Sequence, residues 1–129
     1  MSSRVNYASG SVWEDLVGYS RAVRVGGIIE VSGTVASDET GAVVGEDDAY
    51  LQTKYIYQKI EAVLLRAGAT LQHVVRVRMF VTDISRWKEY GKAHSEVFHL
   101  IKPCNTMVQV AALIGKGFLI EIEATAILE

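Results

Sequence analysis

The clearest pattern in the chain lies near its C-terminal end, where residues 120–128 alternate. Ile120, Ile122, Ala124, Ala126 and Leu128 fall on one side, and Glu121, Glu123, Thr125 and Ile127 on the other. A period of two predicts a β-strand with one face in a core and the other toward something polar. Just upstream, residues 107–113 are almost wholly apolar, which suits a strand covered on both faces. Ile114-Gly115-Lys116-Gly117 connects the two runs. Glu121 and Glu123 would stand roughly 7 Å apart at about 3.3 Å per residue, so each needs a partner, water or a ligand.

The rest of the chain reads as alternating strands and helices. Residues 1–19 carry few periodic signals and predict a loop leading to an edge strand. Two apolar runs, 20–25 and 28–36, flank Gly26-Gly27, a hairpin signal because tight turns need positive φ. Residues 37–45 form a polar loop. Asp47 or Asp48 is placed to cap a helix running to about Ala67, with Leu51, Tyr55, Ile56, Ile60, Val63 and Leu64 as its apolar stripe and Gly68 ending it. A short turn at 70–73 leads to a strand over 74–82. Its alternation puts Val75, Val77, Met79 and Val81 toward the core and Arg76, Arg78, Phe80 and Thr82 on the other face. Ser85 is expected to cap a second helix carrying Trp87, Tyr90, His94, Val97, Phe98 and Ile101, which Pro103 stops. The order is ββαβαββ: one α+β domain over residues 1–129, with two helices on one face of a mixed sheet. Two helices cover only one face. The other would carry Phe80, Ile127 and part of the 107–113 run, and an apolar patch of that kind marks an interface.

Composition narrows the function classes. Half of the 129 residues are hydrophobic, enough for a packed core. A net charge of −2 gives no electrostatic case for nucleic acid. There is no charged-then-apolar leader and no apolar run near the roughly 20 residues of a membrane span. Cys104 is the single cysteine, which excludes an internal disulfide and fits a cytoplasmic protein. His73, His94 and His99 show no metal-ligand spacing; His94 lies in a helix stripe and reads as a packing residue. Neither a metal nor a cofactor is expected, since no phosphate-binding glycine pattern occurs.

Pro103, Val108, Val110-Ala111, Leu113 and Glu121-Ile122-Glu123-Ala124 resemble the C-terminal signature of the Rid superfamily. These are the reactive intermediate (imine) deaminases, also called the YjgF family or, in older usage, L-PSP endoribonucleases. Tyr19-Ser20, Val31-Ser32-Gly33, Gly41, Gln52-Thr53, Gly68-Ala69, Phe80-Val81 and Asp83 match family positions too, so the resemblance spans roughly residues 19–128. It implies a chorismate-mutase-like fold, and a homotrimer whose sheets form a central barrel with ligand clefts between subunits. It also implies that Glu121 lines the cleft and handles water. Ser32 and Gly33 could offer backbone groups at a strand end, and Tyr19 a wall or a hydroxyl.

One departure limits what carries over. The catalytic members' signature begins Pro-x-Arg-Ser, and here it reads Pro103-Cys104-Asn105-Thr106. Arginine grips a substrate carboxylate through a bidentate, charge-assisted bond; Asn105 keeps polarity without the charge. Met107 stands where some members carry cysteine. Arg78 occupies a position usually held by a small hydroxyl residue in the catalytic relatives. On the face predicted for it, it needs an anionic partner, either Glu121 or Glu123 or a ligand in the cleft. The residues therefore support a trimer hydrolysing a small imine or enamine, or a trimer that binds a small metabolite without turnover. A ribonuclease is the third reading and lacks the clustered basic residues that phosphate contacts require.

Overall fold

The structure, a computed structural model, describes residues 3–129; the first two positions of the predicted N-terminal loop lie outside them. Nine main elements follow in order: β1 (Arg4–Tyr7), α1 (Val12–Val17), β2 (Ala22–Val25), β3 (Ile28–Val35), α2 (Ala49–Arg66), β4 (Val74–Val81), α3 (Trp87–Phe98), β5 (Cys104–Gln109) and β6 (Ile120–Ile127). The six strands form one mixed sheet in the order β1-β2-β3-β6-β4-β5. Only β4 and β5 run parallel. The predicted α+β class and its seven elements are present, with β1 and α1 added at the front.

The additions explain why the N-terminal segment looks aperiodic. β1 pairs outside β2, so β2 is not the edge strand. In α1 the Ser11 side chain accepts from the Trp13 amide, and Gly18 closes the helix at φ 91°. The six-residue helix leaves Val12, Trp13, Leu16 and Val17 exposed. It therefore has no apolar stripe against the core of its own chain, and no helical period to read.

In α2 the Asp48 carboxylate accepts from Leu51 N at 2.9 Å, as expected of a cap. The buried stripe is set by Ile56, Tyr57, Ile60 and Leu64 rather than by Leu51, which is exposed. The fully buried Gln52 beside it ties three segments together. Its amide donates to the carbonyls of Gly45 (3.0 Å) and Gly117 (2.9 Å), and its oxygen accepts from Leu119 N (2.9 Å). A buried side-chain amide needs such partners. The second predicted helix starts later than Ser85. Asp83 accepts from Ser85 N at 3.0 Å and opens a 3-10 turn over Ile84–Arg86 before α3 begins.

Two strands depart from expectation. In β4, Val74 pairs with Ala126 and Arg76 with Thr125, so a β-bulge intervenes. The extra residue shifts the alternation: Val74 is buried and Val75 is exposed, while Val77, Met79 and Val81 face the core as predicted. β5 begins and ends earlier than residues 107–113 and is not covered on both faces. It is the sheet edge, mostly exposed, with Met107 packed against the core cluster. On β6, Ile120, Ile122, Ala124 and Ala126 are all buried in the core against α2, and Glu121 and Glu123 lie on the open face.

Candidate functional site

The corner where β2, β3 and β6 meet gathers most of the expected site. Val31 pairs with Ala124 and Thr34 with Ile122, so Ser32-Gly33 carries one residue more than the facing stretch of β6. Bulges of this kind recur beside active sites because they re-aim neighbouring groups. Glycine here permits a close contact. A Cβ on Gly33 would overlap Oε2 of Glu121 and lie 2.9 Å from its Cδ. The Glu121 carboxylate therefore rests on the Gly33 backbone.

Glu121 is half-buried and, among the described residues, has neither a hydrogen bond nor an ion pair. Burial raises its pKa above the ordinary carboxylate value; the charge of Arg21 opposes this and that of Glu123 adds to it. Arg21 was not among the residues singled out from the sequence. It immediately precedes β2, next to the buried Ala22, so strand alternation turns it to the open face. Its Nη2 donates to the Gly33 carbonyl, and its guanidinium carbon lies 5.9 Å from the ring centroid of Tyr19. Its Nε is buried and has no acceptor among the described residues. Desolvation lowers the Arg21 pKa, partly opposed by Tyr19, Glu14 and Glu121.

Nearby groups are already engaged. The Ser32 amide donates to the Arg21 carbonyl at 3.0 Å and its hydroxyl to the Ser20 carbonyl at 2.7 Å. Ser32 thus fixes the corner and has no free amide to offer. Lys59, from α2, donates to the Val35 carbonyl (2.8 Å) and to the Ser37 carbonyl (2.9 Å) and hydroxyl (3.2 Å). Burial, followed by the charge of Arg21, lowers its pKa to about 8, and Asp38 opposes the shift.

The remaining expected residues lie elsewhere. Arg78 pairs in register with Glu123, and their side chains approach to 3.4 Å. Of the two carboxylates the sequence offers it, Glu123 is the one it meets. Arg76 donates instead to the Thr106 hydroxyl at 3.2 Å. Asn105 and Met107 pair with Val77 and Met79, whose side chains face the core, so both lie on the opposite side of the sheet from Glu121. β4 also separates β5 from β6, a distance of about 10 Å at the usual strand spacing. One chain brings together Tyr19, Arg21, Ser32, Gly33 and Glu121, and does not bring Asn105 or Met107 to them.

Other candidates resolve simply. His94 Nδ1 is 2.7 Å from the Tyr57 hydroxyl, and its ring packs between Tyr57 and Phe98, as a packing histidine should. Cys104 is exposed. Among the described residues no cluster of three His, Cys, Asp or Glu could hold a metal, and no helix is long and apolar enough to cross a membrane. Two surface cavities of about 470 and 200 Å³, one beside Gln72 and Ile127 and one beside Tyr57 and Val97, include none of the expected site residues.

Comparison with known proteins gives a consistent result. The endoribonuclease L-PSP family profile matches residues 12–128. A RutC family protein of Pyrococcus abyssi is 39% identical over 109 residues, spanning 84% of each chain. A crystal structure from Mycobacterium tuberculosis, of a member of the highly conserved YjgF/YER057c/UK114 family, superposes with a TM-score of 0.89. It is 48% identical and covers 98% of this chain and 100% of that one. A Yersinia pestis protein of unknown function from the conserved Rid family gives 0.82 at 34% identity, over 95% and 94% of the two chains.

Proposed function

The chain belongs to the endoribonuclease L-PSP family, within the YjgF/Rid superfamily, and on that premise we propose a homotrimer whose intersubunit clefts bind and hydrolyse a small imine or enamine. Water adds to the electrophilic C=N carbon, the C–N bond then breaks, and the products are a carbonyl compound and ammonia. Glu121 takes a proton from the attacking water and passes it to the nitrogen, and it relays the hydroxyl proton of the resulting carbinolamine to the nitrogen as the C–N bond breaks. The observation that carries this reading is the state of Glu121: half-buried, resting on Gly33 and, among the described residues, without a hydrogen bond or ion pair. Its carboxylate is therefore open to a water or a ligand.

The division of residues supports the trimer. Asn105 and Met107 can reach the Glu121 corner only from a neighbouring copy. The open face also carries apolar side chains that a monomer leaves in water, including Ile127, 45% exposed, and the half-buried Phe80. A monomer at micromolar concentration by light scattering would overturn the assembly.

The test of function is a panel of imines generated in situ, with ammonia release followed against a protein-free control. Release above the control, lost in Glu121→Gln, is expected. A specific observation favours a second reading, a trimer that binds a metabolite without turnover: the family's arginine is Asn105 here. Binding without any release from the whole panel would select it. The ribonuclease reading has the least support, since the charge balance offers no basic track for phosphate.

A further inference from the structure

We propose that α1 is a strap between subunits: its exposed apolar face packs on a second copy of this chain, along the neighbour's edge strand β5. The proposal rests on the preceding reading for which strand of the neighbour lies nearby, and its test separates the two.

The helix is mounted with its polar side inward. At about 100° per residue, Val12, Trp13, Leu16 and Val17 fall on one side, and all four are exposed, Leu16 by 75%. Glu14 falls on the other side and is buried. Its carboxylate accepts from the Ser9 amide at 3.1 Å and from the Ser9 hydroxyl. A surface helix ordinarily does the reverse and turns its apolar stripe to the core. Both ends fix this orientation. Ser11 caps the first turn, and the amides of Gly18 and Tyr19 donate to the Glu14 carbonyl at 2.9 and 3.0 Å. A polar anchor thus holds four large apolar side chains in water, and a contiguous apolar face marks a contact.

Position names the occupant. α1 leads directly into Tyr19 and is hydrogen-bonded to it, and the Glu14 charge acts on Arg21. The helix therefore borders the junction that a neighbour's Asn105 and Met107 complete. On β5, Val108 follows Met107 by one residue, about 3.3 Å along the strand, and is exposed. A neighbour that brings Met107 to the junction brings this second apolar group with it. A membrane fits less well. A helix lying on a membrane carries Lys or Arg on its polar side, whereas the polar residues of α1 are Glu14 and Asp15.

The test follows Trp13 in the full-length protein. Trp13 and Trp87 are the two tryptophans, so Trp87→Phe leaves Trp13 as the sole reporter. As the protein is concentrated and light scattering rises to that of the assembly, Trp13 emission should move to the blue and acrylamide quenching should fall. Leu16→Gln should raise the concentration of half-dissociation at least about tenfold, the value of withdrawing a leucine from a buried contact. Leu100→Gln, at a site 85% exposed after α3, should leave it unchanged. Val108→Gln should act as Leu16→Gln does, and the two together by less than their sum; strictly additive effects would overturn β5 as the seat of the contact. Trp13 equally open to acrylamide in assembled and dissociated protein, or an unaltered midpoint in Leu16→Gln, would overturn the proposal. A Trp13 shift seen only with phosphatidylcholine vesicles would overturn it in favour of a membrane surface. A trimer with Trp13 in water would sink the strap and leave the trimer standing. A dimer with Trp13 shielded and Leu16 sensitive would do the reverse, and a monomer at micromolar concentration would sink both.

Discussion

Two arginine–glutamate neighbourhoods share the open face of the sheet, and they are in opposite states. Arg78 and Glu123 sit opposite each other on β4 and β6, meet at 3.4 Å, and are both about two-fifths exposed at 43% and 37%. This is an ordinary surface ion pair, of the kind worth about 0–1 kcal/mol. Arg21 and Glu121 are more deeply set and are not in contact, and each keeps unused hydrogen-bonding capacity. Residue type does not distinguish the pairs; backbone geometry does. β4 and β6 are in regular register at Arg78, which delivers cross-strand partners directly to each other. At the other site a bulge and a glycine let the carboxylate settle on the backbone.

The sharpest way to break the comparison is to neutralise each carboxylate in turn. Glu121→Gln should lower kcat on any imine turned over by roughly 10²–10⁴-fold, the range for removing a general base, with the assembly unchanged by light scattering. Glu123→Gln should stay within a few-fold of wild type. Equal losses would show that the two environments do not differ in function.

Gly33→Ala attacks the same difference through the backbone. The new methyl meets only the Glu121 side chain, which can swing away. Turnover should fall at least about tenfold, on the scale of misplacing a catalytic group by about 1 Å. Thermal stability should change by no more than about 0.5 kcal/mol. Unchanged kcat would mean that the position of the carboxylate on Gly33 has no bearing on the chemistry.

The sequence revealed the regular half of this architecture more readily than the irregular half. β6, α2 and the core face of β4 bury one side against the chain's own core, so their periods of two and of 3.6 are visible in the residues. The bulges at Val74–Arg76 and Ser32-Gly33 add a residue without leaving a compositional mark, and they misplace Val75 and conceal why Gly33 is needed. The run 107–113 looks buried because it is apolar, yet the strand it joins, β5, is an edge within one chain. Of the site, Tyr19, Gly33 and Glu121 were legible through family resemblance and are brought together. Arg21 was hidden because, inside the run 20–25 read as one arm of a hairpin, a charged residue suggests only a solvated position. Its one signal was its place in the alternation, beside Ala22 and on the face away from the core.

Protonation offers a finer separation. The Glu121 pKa is raised, so the folded chain holds that proton more tightly than the unfolded chain. This contribution to stability is present below the ordinary carboxylate value and is lost as pH rises through the folded value. Activity runs the other way, because the base is available only above it. Carboxyl-selective NMR titration of the ligand-free protein should show Glu121 titrating higher still in Arg21→Gln, where the lowering charge is gone, and lower in Glu123→Gln, where the raising charge is gone. A Glu121 titration indifferent to Arg21 would mean that the two groups are not neighbours in solution.

The smallest effect belongs to the paired neighbourhood. Arg78→Met and Glu123→Gln, singly and together, form a double-mutant cycle whose coupling measures that ion pair in isolation. Two exposed side chains at 3.4 Å should couple by less than about 1 kcal/mol, and less again in 1 M salt, where the screening length falls to about 3 Å. Arg78→Met should leave any imine turnover unchanged. A coupling above about 2 kcal/mol that survives salt would place the pair in a drier setting than one chain provides, such as the centre of the proposed trimer. A weak coupling combined with lost imine turnover would make Arg78 a ligand group and dissolve the contrast between the two pairs. The comparison holds only if the pair already in contact is the dispensable one.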